Sequence, residues 1–504
     1  MERTGSIGNA GNASLFATLT APPDEDLEAQ LGGFDGVEWL EVRADLAGDL
    51  DPAPLRARFP GRLLYTLRSR AEGGAHEGSA ERRKRRLIDA AARYDRVDLE
   101  ASRDLSPDLL KAIPPDQRLL SWHGPAPGLP ALKTLCERMT AVEAALYKLV
   151  PTASQPGEDL QPLLLLHALE RPDVAAFASG EAGVWTRMVA PRLGAPVVYG
   201  AAGEVPGAPG QPSIRRLRED FGLPGLPSIR VLFGLVGNPV SHSLSPRIHN
   251  AAYRELGIPA AYLPFHTDSF GDLWLELVEG GALESLGLPI RGLSVTAPYK
   301  EAALAVAGAE SPLAEKIGAA NTLVWNQGVW EAESTDPDGV VLPLHERGVR
   351  VEGLRAAVVG TGGGGRSAAV GLVRAGADVT LFNRGAARGE KAASDLGLPF
   401  LPLGELDPAA FGLLVNATAL GRSVSDPLPF LVDDLRLGTV VIDLVYLKDG
   451  PTPLLVAAAE RGAVVVDGRE VLLDQARGQF RMMTGQEMPV GLARRMLGLE
   501  GEGR

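Results

Sequence analysis

The sequence predicts an α/β protein: a (β/α)8 TIM barrel, followed by a smaller α/β domain and a Rossmann domain. Two observations lead to this prediction. The first part of the chain alternates short apolar segments with amphipathic ones. This pattern indicates eight βα units that together span about 200 residues. Further on, AVVGTGGGGRSAA places a glycine-rich turn between an apolar segment and a helical pattern, which is typical of a dinucleotide-binding strand–turn–helix.

The predicted barrel strands lie at 14–21, 36–44, 62–69, 96–101, 118–124, 145–150, 174–180 and 196–202. Between them, segments such as SAERRKRRLIDAAARY repeat apolar residues at helical spacing. A doubly wound sheet also alternates strands and helices. The number of units and the absence of an early glycine-rich fingerprint favour a closed barrel.

Composition narrows the class of protein. The chain has 504 residues, 45% of them hydrophobic and 22% charged, as in soluble globular proteins of about three domains. A net charge of −13 disfavours nucleic acids and anionic membranes as partners. Cys136 is the single cysteine, which excludes an internal disulfide. The histidines do not cluster with carboxylates at the spacing of metal ligands, so no metal site is predicted. We expect a cytoplasmic protein, because no secretory signal or membrane-spanning run is visible.

Charged side chains recur at the ends of the predicted barrel strands. Barrel enzymes keep their chemistry at this face, and buried charges are costly unless they are paired. One such residue alone is more often a salt-bridge partner or a structural histidine, whereas the whole set indicates a site. The set comprises Glu41, Arg43, Arg68, Glu100, His123 and Lys148.

Lys148 is the most informative member, since ALYKLVP surrounds it with apolar residues. Burial and nearby cations are expected to lower its pKa. A neutral amine attacks a ketone to form an imine, which assists bond cleavage at the adjacent carbon. His123 is then a candidate for moving protons, with Glu100 holding its ring. Arg187 is a candidate fork for a substrate carboxylate.

The segments EVRAD, TLRS, VDLE, SWHG, ALYKLV, GVWTR and APGQPS together resemble type I 3-dehydroquinate dehydratase, over about residues 14–220. The resemblance implies a barrel enzyme that removes water from 3-dehydroquinate through a lysine Schiff base. It implies Lys148 as the Schiff-base lysine, His123 as general acid/base and Glu100 as its partner. The substrate-binding residues that it implies are Glu41, Arg43, Arg68, Arg187 and Gln211.

A cluster of Pro and Gly at 222–228 marks a domain boundary. The predicted domains are 1–225 for the barrel, 229–335 for a substrate-binding domain, and 336–504 for the Rossmann domain, with C-terminal helices that return to the substrate-binding domain.

The second half opens with GNPVSHSLSP. An extended backbone would point the hydroxyls of Ser243 and Ser245 the same way, which suits a carboxylate and ring hydroxyls. Ser245-Pro246 also reads as a helix start. Polar residues at later strand ends or turns are Thr296, Lys300, Asn321 and Asp336. A Lys–Asp pair can pass a proton to the oxygen of a carbonyl that is being reduced.

The glycine-rich turn contains Gly360, Gly362, Gly363 and Gly364, which allow the backbone to approach a pyrophosphate at a helix N-terminus. About twenty residues on, where an NAD enzyme places an acidic residue, the chain has Asn383-Arg384. Arg384, with Arg388 beyond it, favours the 2′-phosphate of NADP.

The second-half segments described above, together with NATALG, DLVY and LLDQARGQF, resemble shikimate dehydrogenase over about residues 230–495. The resemblance implies Lys300 and Asp336 as the catalytic pair. It implies binding of shikimate or 3-dehydroshikimate by Ser243, Ser245, Thr296, Asn321, Tyr446 and Gln475. It also implies NADP binding by the four glycines and by Asn383, Arg384 and Arg388.

The product of the first predicted reaction is the substrate of the second, so the chain resembles the fused enzyme of aromatic amino-acid synthesis. Its expected partners are 3-dehydroquinate, 3-dehydroshikimate and shikimate, and the expected state is a monomer or homodimer. Two alternatives remain open: a catabolic enzyme whose second half prefers quinate, and a ligand-sensing regulator built on inactive domains. A regulator would normally have lost catalytic residues such as Lys148 and Lys300.

Overall fold

The computed structural model describes residues 13–225, 228–423, 425–448 and 450–499. The chain divides into two compact units. The first comprises residues up to 232 together with 257–290, and the second comprises 233–256 together with everything from 291 onward. The predicted domain boundaries at 225 and 335 stay a prediction.

The first 225 residues, all in the first unit, contribute eight strands in their described part, each followed by a helix. The strands are β1 (Ser14–Leu19), β2 (Val37–Arg43), β3 (Arg62–Thr66), β4 (Arg96–Glu100), β5 (Arg118–Pro125), β6 (Leu146–Thr152), β7 (Val174–Ala176) and β8 (Val197–Ala201). The helices are α1 (Leu27–Leu31), α2 (Pro52–Arg56), α3 (Ala80–Ala91), α4 (Pro107–Ala112), α5 (Leu129–Thr140), α6 (Gln161–Leu169), α7 (Thr186–Val189) and α8 (Ile214–Phe221).

These strands form one parallel sheet in the order β7-β6-β5-β4-β3-β2-β1-β8. β1 pairs with both β2 and β8, so the sheet curls round on itself. At the remaining seam the rings of Phe177 and Tyr199 lie 6.2 Å apart, and Arg187 Nη1 donates to the carbonyl of Tyr199 at 3.1 Å. The predicted barrel is confirmed.

The next part of the chain contributes six strands and six helices. The strands are β9 (Val231–Gly237), β10 (Ala260–His266), β11 (Ile290–Val295), β12 (Ala309–Glu310), β13 (Thr322–Asn326) and β14 (Val329–Glu333). The helices are α9 (Ser245–Leu256), α10 (Phe270–Leu273), α11 (Ala282–Ser285), α12 (Lys300–Val306), α13 (Pro312–Ile317) and α14 (Asp336–Glu346). In the second unit, sheet neighbours run in the order β9-β11-β13-β14-β12.

The rest of the second unit is a parallel sheet in the order β17-β16-β15-β18-β19-β20, the strand order of a dinucleotide-binding Rossmann fold. Its strands are β15 (Arg355–Val359), β16 (Asp378–Asn383), β17 (Phe400–Pro402), β18 (Leu413–Asn416), β19 (Val440–Asp443) and β20 (Val464–Val466). Its helices are α15 (Gly363–Arg374), α16 (Ala386–Leu396), α17 (Pro453–Glu460), α18 (Gly468–Thr484) and α19 (Val490–Met496). Buried apolar clusters cover both faces, and the predicted Rossmann domain is confirmed.

Within the described ranges, no helix combines the length and the apolar character that a membrane span requires.

Candidate active sites

The amine of Lys148 lies inside the barrel at β6, and the residue is 4% exposed. Its Nζ is 3.5 Å from Asp98 Oδ2 and 3.8 Å from Glu41 Oε1. The face of the Tyr199 ring lies 4.2 Å from Nζ, measured to the centroid. The amine is therefore desolvated and surrounded by groups that stabilise its cationic form.

Burial is nevertheless the largest influence on Lys148, and it lowers the pKa of the amine. The cations of Arg68 and Arg43 lower the pKa further, while Glu41 and Asp98 oppose them. A lowered pKa increases the neutral fraction of the amine, and only the neutral amine is nucleophilic. The predicted direction of the shift agrees with this environment.

Arg68 organises the acidic groups of the site. Its Nη2 donates to Asp98 at 2.6 Å, and its Nη1 lies 2.9 Å from Ser121 Oγ, 3.2 Å from Glu72 and 3.3 Å from Glu100. All three carboxylates are buried. One guanidinium therefore offsets much of the cost of burying them.

His123, on β5, is held by a carboxylate that was not among the predicted residues. Its backbone N–H donates to Glu72 Oε2 at 3.0 Å, and its Nδ1 lies 3.3 Å from the same oxygen. Burial and the cations Arg68 and Lys148 lower the pKa of His123 well below its usual value. Burial raises the pKa of Glu72 to about 7. Near neutral pH the imidazole is therefore uncharged and lies beside a carboxyl group that changes its protonation state in the same pH range.

This contact corrects the expected partnership of His123 with Glu100. Both oxygens of Glu100 accept hydrogen bonds from Ser69, from its backbone N–H and its hydroxyl, each at 2.7 Å. These bonds turn the Glu100 carboxylate toward the segment after β3. Glu72 ends a single 3-10 turn in that segment, which brings its carboxylate to the imidazole.

Arg187 is the second residue of α7 and is 2% exposed. Its guanidinium lies 4.8 Å from the Phe177 ring centroid, and its Nε has no hydrogen-bond partner. Burial lowers its pKa to about 10. No carboxylate pairs with it in the described part of the chain. A buried, unpaired fork of this kind suits an anionic ligand.

The loop after β8 lies beside the same site. Arg43 Nη1 donates to the carbonyl of Gly207 at 2.6 Å, and Gln211 Oε1 accepts from the N–H of Gly207 at 2.8 Å. Gln211 Nε2 donates to Thr18 Oγ1 at 3.1 Å, and that hydroxyl donates to Glu41 at 2.8 Å. The structure thus joins Arg43, Gln211 and Glu41 through one set of contacts.

A second site lies in the second unit, around Lys300 and Asp336, which are hydrogen-bonded side chain to side chain. Each is the first residue of a helix, α12 and α14. Asn321 Nδ2 donates to the other oxygen of Asp336 at 2.7 Å, and the amide of Thr335 donates to Asn321 Oδ1 at 2.9 Å. The carboxylate is therefore fixed between an amide and the amine.

Ser243 and Ser245 do not form the extended pair that the sequence suggested. Helix α9 begins at Ser245, and Ser243 Oγ accepts from the backbone N–H of Ser245 at 3.2 Å. Ser245 is buried and Ser243 half-buried. Thr296 follows β11, and its N–H donates to the carbonyl of Val236 on β9 at 2.9 Å. These residues lie at the ends of two neighbouring strands.

Helix α18 adds a residue that the sequence analysis missed. Gln479 Nε2 donates to the carbonyl of Asn321 at 3.1 Å, and its Oε1 accepts from Ser294 Oγ at 2.9 Å. Gln475 lies one turn earlier, and a Cβ placed on Gly339 of α14 would be 3.2 Å from its Cβ. The spacing of two glutamines in LLDQARGQF is the signal for this shared face. Tyr446 is half-buried just after β19.

The glycine-rich turn follows β15 and leads into α15. Gly360 has φ +106°, and a Cβ there would meet the carbonyl of Ala417 at 2.7 Å. A Cβ at Gly365 would lie 1.9 Å from the carbonyl of Gly360. Gly363 packs on the stem of Lys300, 3.0 Å from its Cδ by the same measure. The turn is as tight as a pyrophosphate-binding loop requires.

Three predicted nucleotide-binding residues follow at the end of β16. Asn383 Nδ2 donates to the carbonyl of Gly385 at 2.9 Å, which closes the turn. Arg384 and Arg388 are exposed, and Arg388 Nη2 lies 3.7 Å from a Cβ placed on Gly362. Two cations beside the glycine-rich turn suit a phosphate group.

Comparisons with known proteins find related families for both halves of the chain. Residues 15–225 match the family model of type I 3-dehydroquinase, and residues 235–323 match that of the shikimate dehydrogenase substrate binding domain. Shikimate dehydrogenase (NADP(+)) of Rubrobacter xylanophilus is 39% identical, over 54% of this chain and 96% of that protein. That of Methanothrix thermoacetophila is 36% identical, over 51% and 93%. The chain belongs to the shikimate dehydrogenase family.

It also carries the type I 3-dehydroquinase domain in front of the shikimate dehydrogenase part. Over most of its length the chain is similar to the bifunctional 3-dehydroquinate dehydratase/shikimate dehydrogenase, chloroplastic, of Arabidopsis thaliana, with 27% identity over 90% of this chain and 79% of that protein. The resemblance to both families is confirmed. Across the described residues of the chain, no group of three or more His, Cys, Asp or Glu is arranged to hold a metal ion.

Proposed function

We propose that the chain dehydrates 3-dehydroquinate in the barrel and reduces the product, 3-dehydroshikimate, to shikimate in the second unit. The observation that carries the first half is the buried amine of Lys148, whose pKa is lowered by burial and which lies beside the carboxylates of Asp98 and Glu41. The second half rests on the Lys300–Asp336 pair next to the glycine-rich turn.

In the barrel, Lys148 adds to the substrate ketone, and water leaves to give a protonated imine. The imine acidifies the adjacent C–H, and His123 takes that proton. Expulsion of the ring hydroxyl, protonated as water, gives a conjugated iminium. Hydrolysis by one water then releases the enone acid and regenerates the amine. Glu72 holds the imidazole, and Arg187 and Arg68 bind the carboxylate and hydroxyl groups.

The tightness of the glycine-rich turn and the two exposed arginines fit NADP. Gly360, Gly362, Gly363 and Gly364 would face its pyrophosphate, and Arg384 and Arg388 its 2′-phosphate, with Asn383 holding the turn. When bound, NADPH supplies a hydride. Lys300 then donates a proton to the oxygen of the carbonyl, and Asp336 holds the ammonium in place. Ser243, Ser245, Thr296, Asn321, Tyr446 and Gln475 would bind the ring acid.

Borohydride trapping tests the first half. Reduction in the presence of 3-dehydroquinate should give a stable adduct on the peptide that contains Lys148, and the Lys148→Met variant should give none. Recovery of the unmodified Lys148 peptide while dehydration continues would rule out an imine intermediate at Lys148. We also propose that the protein is cytoplasmic and is a monomer or a homodimer.

A further inference from the structure

A tryptophan next to the carboxylate-binding arginine of the barrel is buried by two different parts of the chain. Trp185 is 0% exposed, and its Nε1 donates to Asp159 Oδ2 at 2.6 Å. Its ring meets the ring of Phe265 edge to face, with centroids 5.3 Å apart and an angle of 63°. Asp159 belongs to the barrel loop after β6, whereas Phe265 lies on β10.

Trp185 is rigidly linked to Arg187. Thr186, between them, donates to the carbonyl of Gly183 at 2.7 Å and accepts from the N–H of Ala178 at 2.9 Å. Trp185 is also the N-cap position of α7, in which Arg187 is the second residue. These two bonds tie the backbone between the indole and the guanidinium to the segment after β7.

Strand β10 touches this loop at more than one point. His266 Nε2 lies 3.1 Å from Glu181 Oε2, and Phe265 is only 1% exposed. The segment after β10 also reaches the loop after β6, because a Cβ placed on Gly157 would lie 2.8 Å from Oε2 of Glu276. The N–H of Gly157 donates to Asp159 at 2.9 Å. Residues 260–266 lie within the stretch that matches the shikimate dehydrogenase substrate binding domain.

We propose that Trp185 is a positioning residue for Arg187. Phe265, in the part of the chain that matches the dehydrogenase family, holds the Trp185 ring in place. The dehydratase site then depends on β10 for its affinity for 3-dehydroquinate, although β10 contributes no group to the reaction. This inference rests on the proposed role of Arg187 in binding the substrate carboxylate.

The experiment measures dehydratase kinetics of Phe265→Leu in the wild-type and Arg187→Ala backgrounds. An edge-to-face ring pair contributes enough for an about two- to tenfold effect. We therefore expect the KM for 3-dehydroquinate to rise by about that factor in the wild-type background with little change in kcat. In the Arg187→Ala background, Phe265→Leu should cause no further rise, because both changes act through one contact.

The matched control is Phe411→Leu, which removes the edge-to-face partner of Phe382 in the second unit (5.6 Å, 89°) and should leave the dehydratase KM unchanged. Trp185→Phe keeps one aromatic ring but removes the donor to Asp159 and part of the indole, so it tests the same positioning role if Phe265→Leu folds poorly. An equal rise in KM in both backgrounds, or no rise in either Phe265→Leu or Trp185→Phe, would overturn the inference. An inactive wild type would instead refute the proposed function itself.

Discussion

The amine of Lys148 lies over the face of Tyr199, 4.2 Å from the ring centroid. Tyr199 is 3% exposed and lies on β8, whereas the acidic groups near the same amine, Glu41 and Asp98, lie on β2 and β4. The proposed imine at Lys148 is positively charged before the adjacent C–H bond breaks, and it is positively charged again once the ring hydroxyl has left as water. A buried aromatic face therefore stabilises the intermediates without supplying a base that would deprotonate them.

Replacing Tyr199 by Leu should lower the dehydratase kcat by about five- to thirtyfold, since desolvated cation–π contacts contribute about 1–2 kcal/mol. Tyr199→Phe is the matched control, because it keeps the ring and removes a hydroxyl that has no hydrogen-bond partner. Steady-state kinetics with 3-dehydroquinate distinguish the two variants. Equal losses in both would show that the ring face is not what matters.

The acid/base partner of His123 is testable through pH. Ionised Glu72 fixes the imidazole as a base, and burial raises the Glu72 pKa to about 7. Dehydratase kcat/KM should therefore rise as the pH increases through about 7. In the Glu72→Gln variant this rise with pH should be absent, and kcat/KM should be about a hundredfold lower. Glu100→Gln disturbs the contact with Ser69 instead, so this variant should keep the rise with pH. If the rise is absent in Glu100→Gln, Glu100 and not Glu72 is the partner of His123.

The two sites should be separable by mutation. Lys300→Ala should abolish NADPH oxidation with 3-dehydroshikimate while dehydration continues, because Lys300 lies in the second unit. Asp336→Asn keeps the shape but removes the charge that holds the ammonium, and we expect a loss of about a hundredfold or more. Loss of dehydration in either variant would contradict independent sites.

Cofactor choice should depend on the arginines after β16. Arg384→Ala and Arg388→Ala should each raise the KM for NADPH by about tenfold, the effect of one charge-assisted contact to phosphate. The KM for NADH should stay nearly constant, because NADH lacks the 2′-phosphate. Parallel rises for both nucleotides would place these side chains elsewhere on the cofactor.

A buried acid in the Rossmann domain gives a prediction for stability. Asp443 is fully buried and accepts from Asn416 and Thr452 at 2.8 and 2.6 Å. Burial raises its pKa to about 6, so its contribution to stability is present at low pH and is lost as the pH rises through 6. Between pH 5 and 7.5, wild type should lose about 1 kcal/mol relative to Asp443→Asn in chemical denaturation.

The fold was predictable because its signals are local. Strand β6 is a short apolar run around one lysine, and the turn at Gly360 requires a glycine by its backbone angle. The positions of Lys148 on a strand and of Lys300 at a helix start were also predictable from local patterns, whereas their catalytic roles, like that of Asp336, stay predictions.

The missed residues depend on contacts distant in sequence. Glu72 lies in a polar turn that reads as an exposed loop, and it is buried because Arg68 and His123 converge on it. Asp98 stands two positions before Glu100 on β4, so alternation along the strand points both the same way; that signal was present but was not used. The contact of Phe265 with Trp185 joins residues 80 positions apart in sequence, and no local pattern reports it.

The most direct test gives the pure protein 3-dehydroquinate together with NADPH and follows the enone absorbance and the nicotinamide absorbance in the same cuvette. The account predicts that the enone appears first and then declines, as one NADPH is oxidised for each 3-dehydroquinate consumed. A protein that neither produces the enone nor oxidises NADPH when 3-dehydroshikimate is supplied would contradict it.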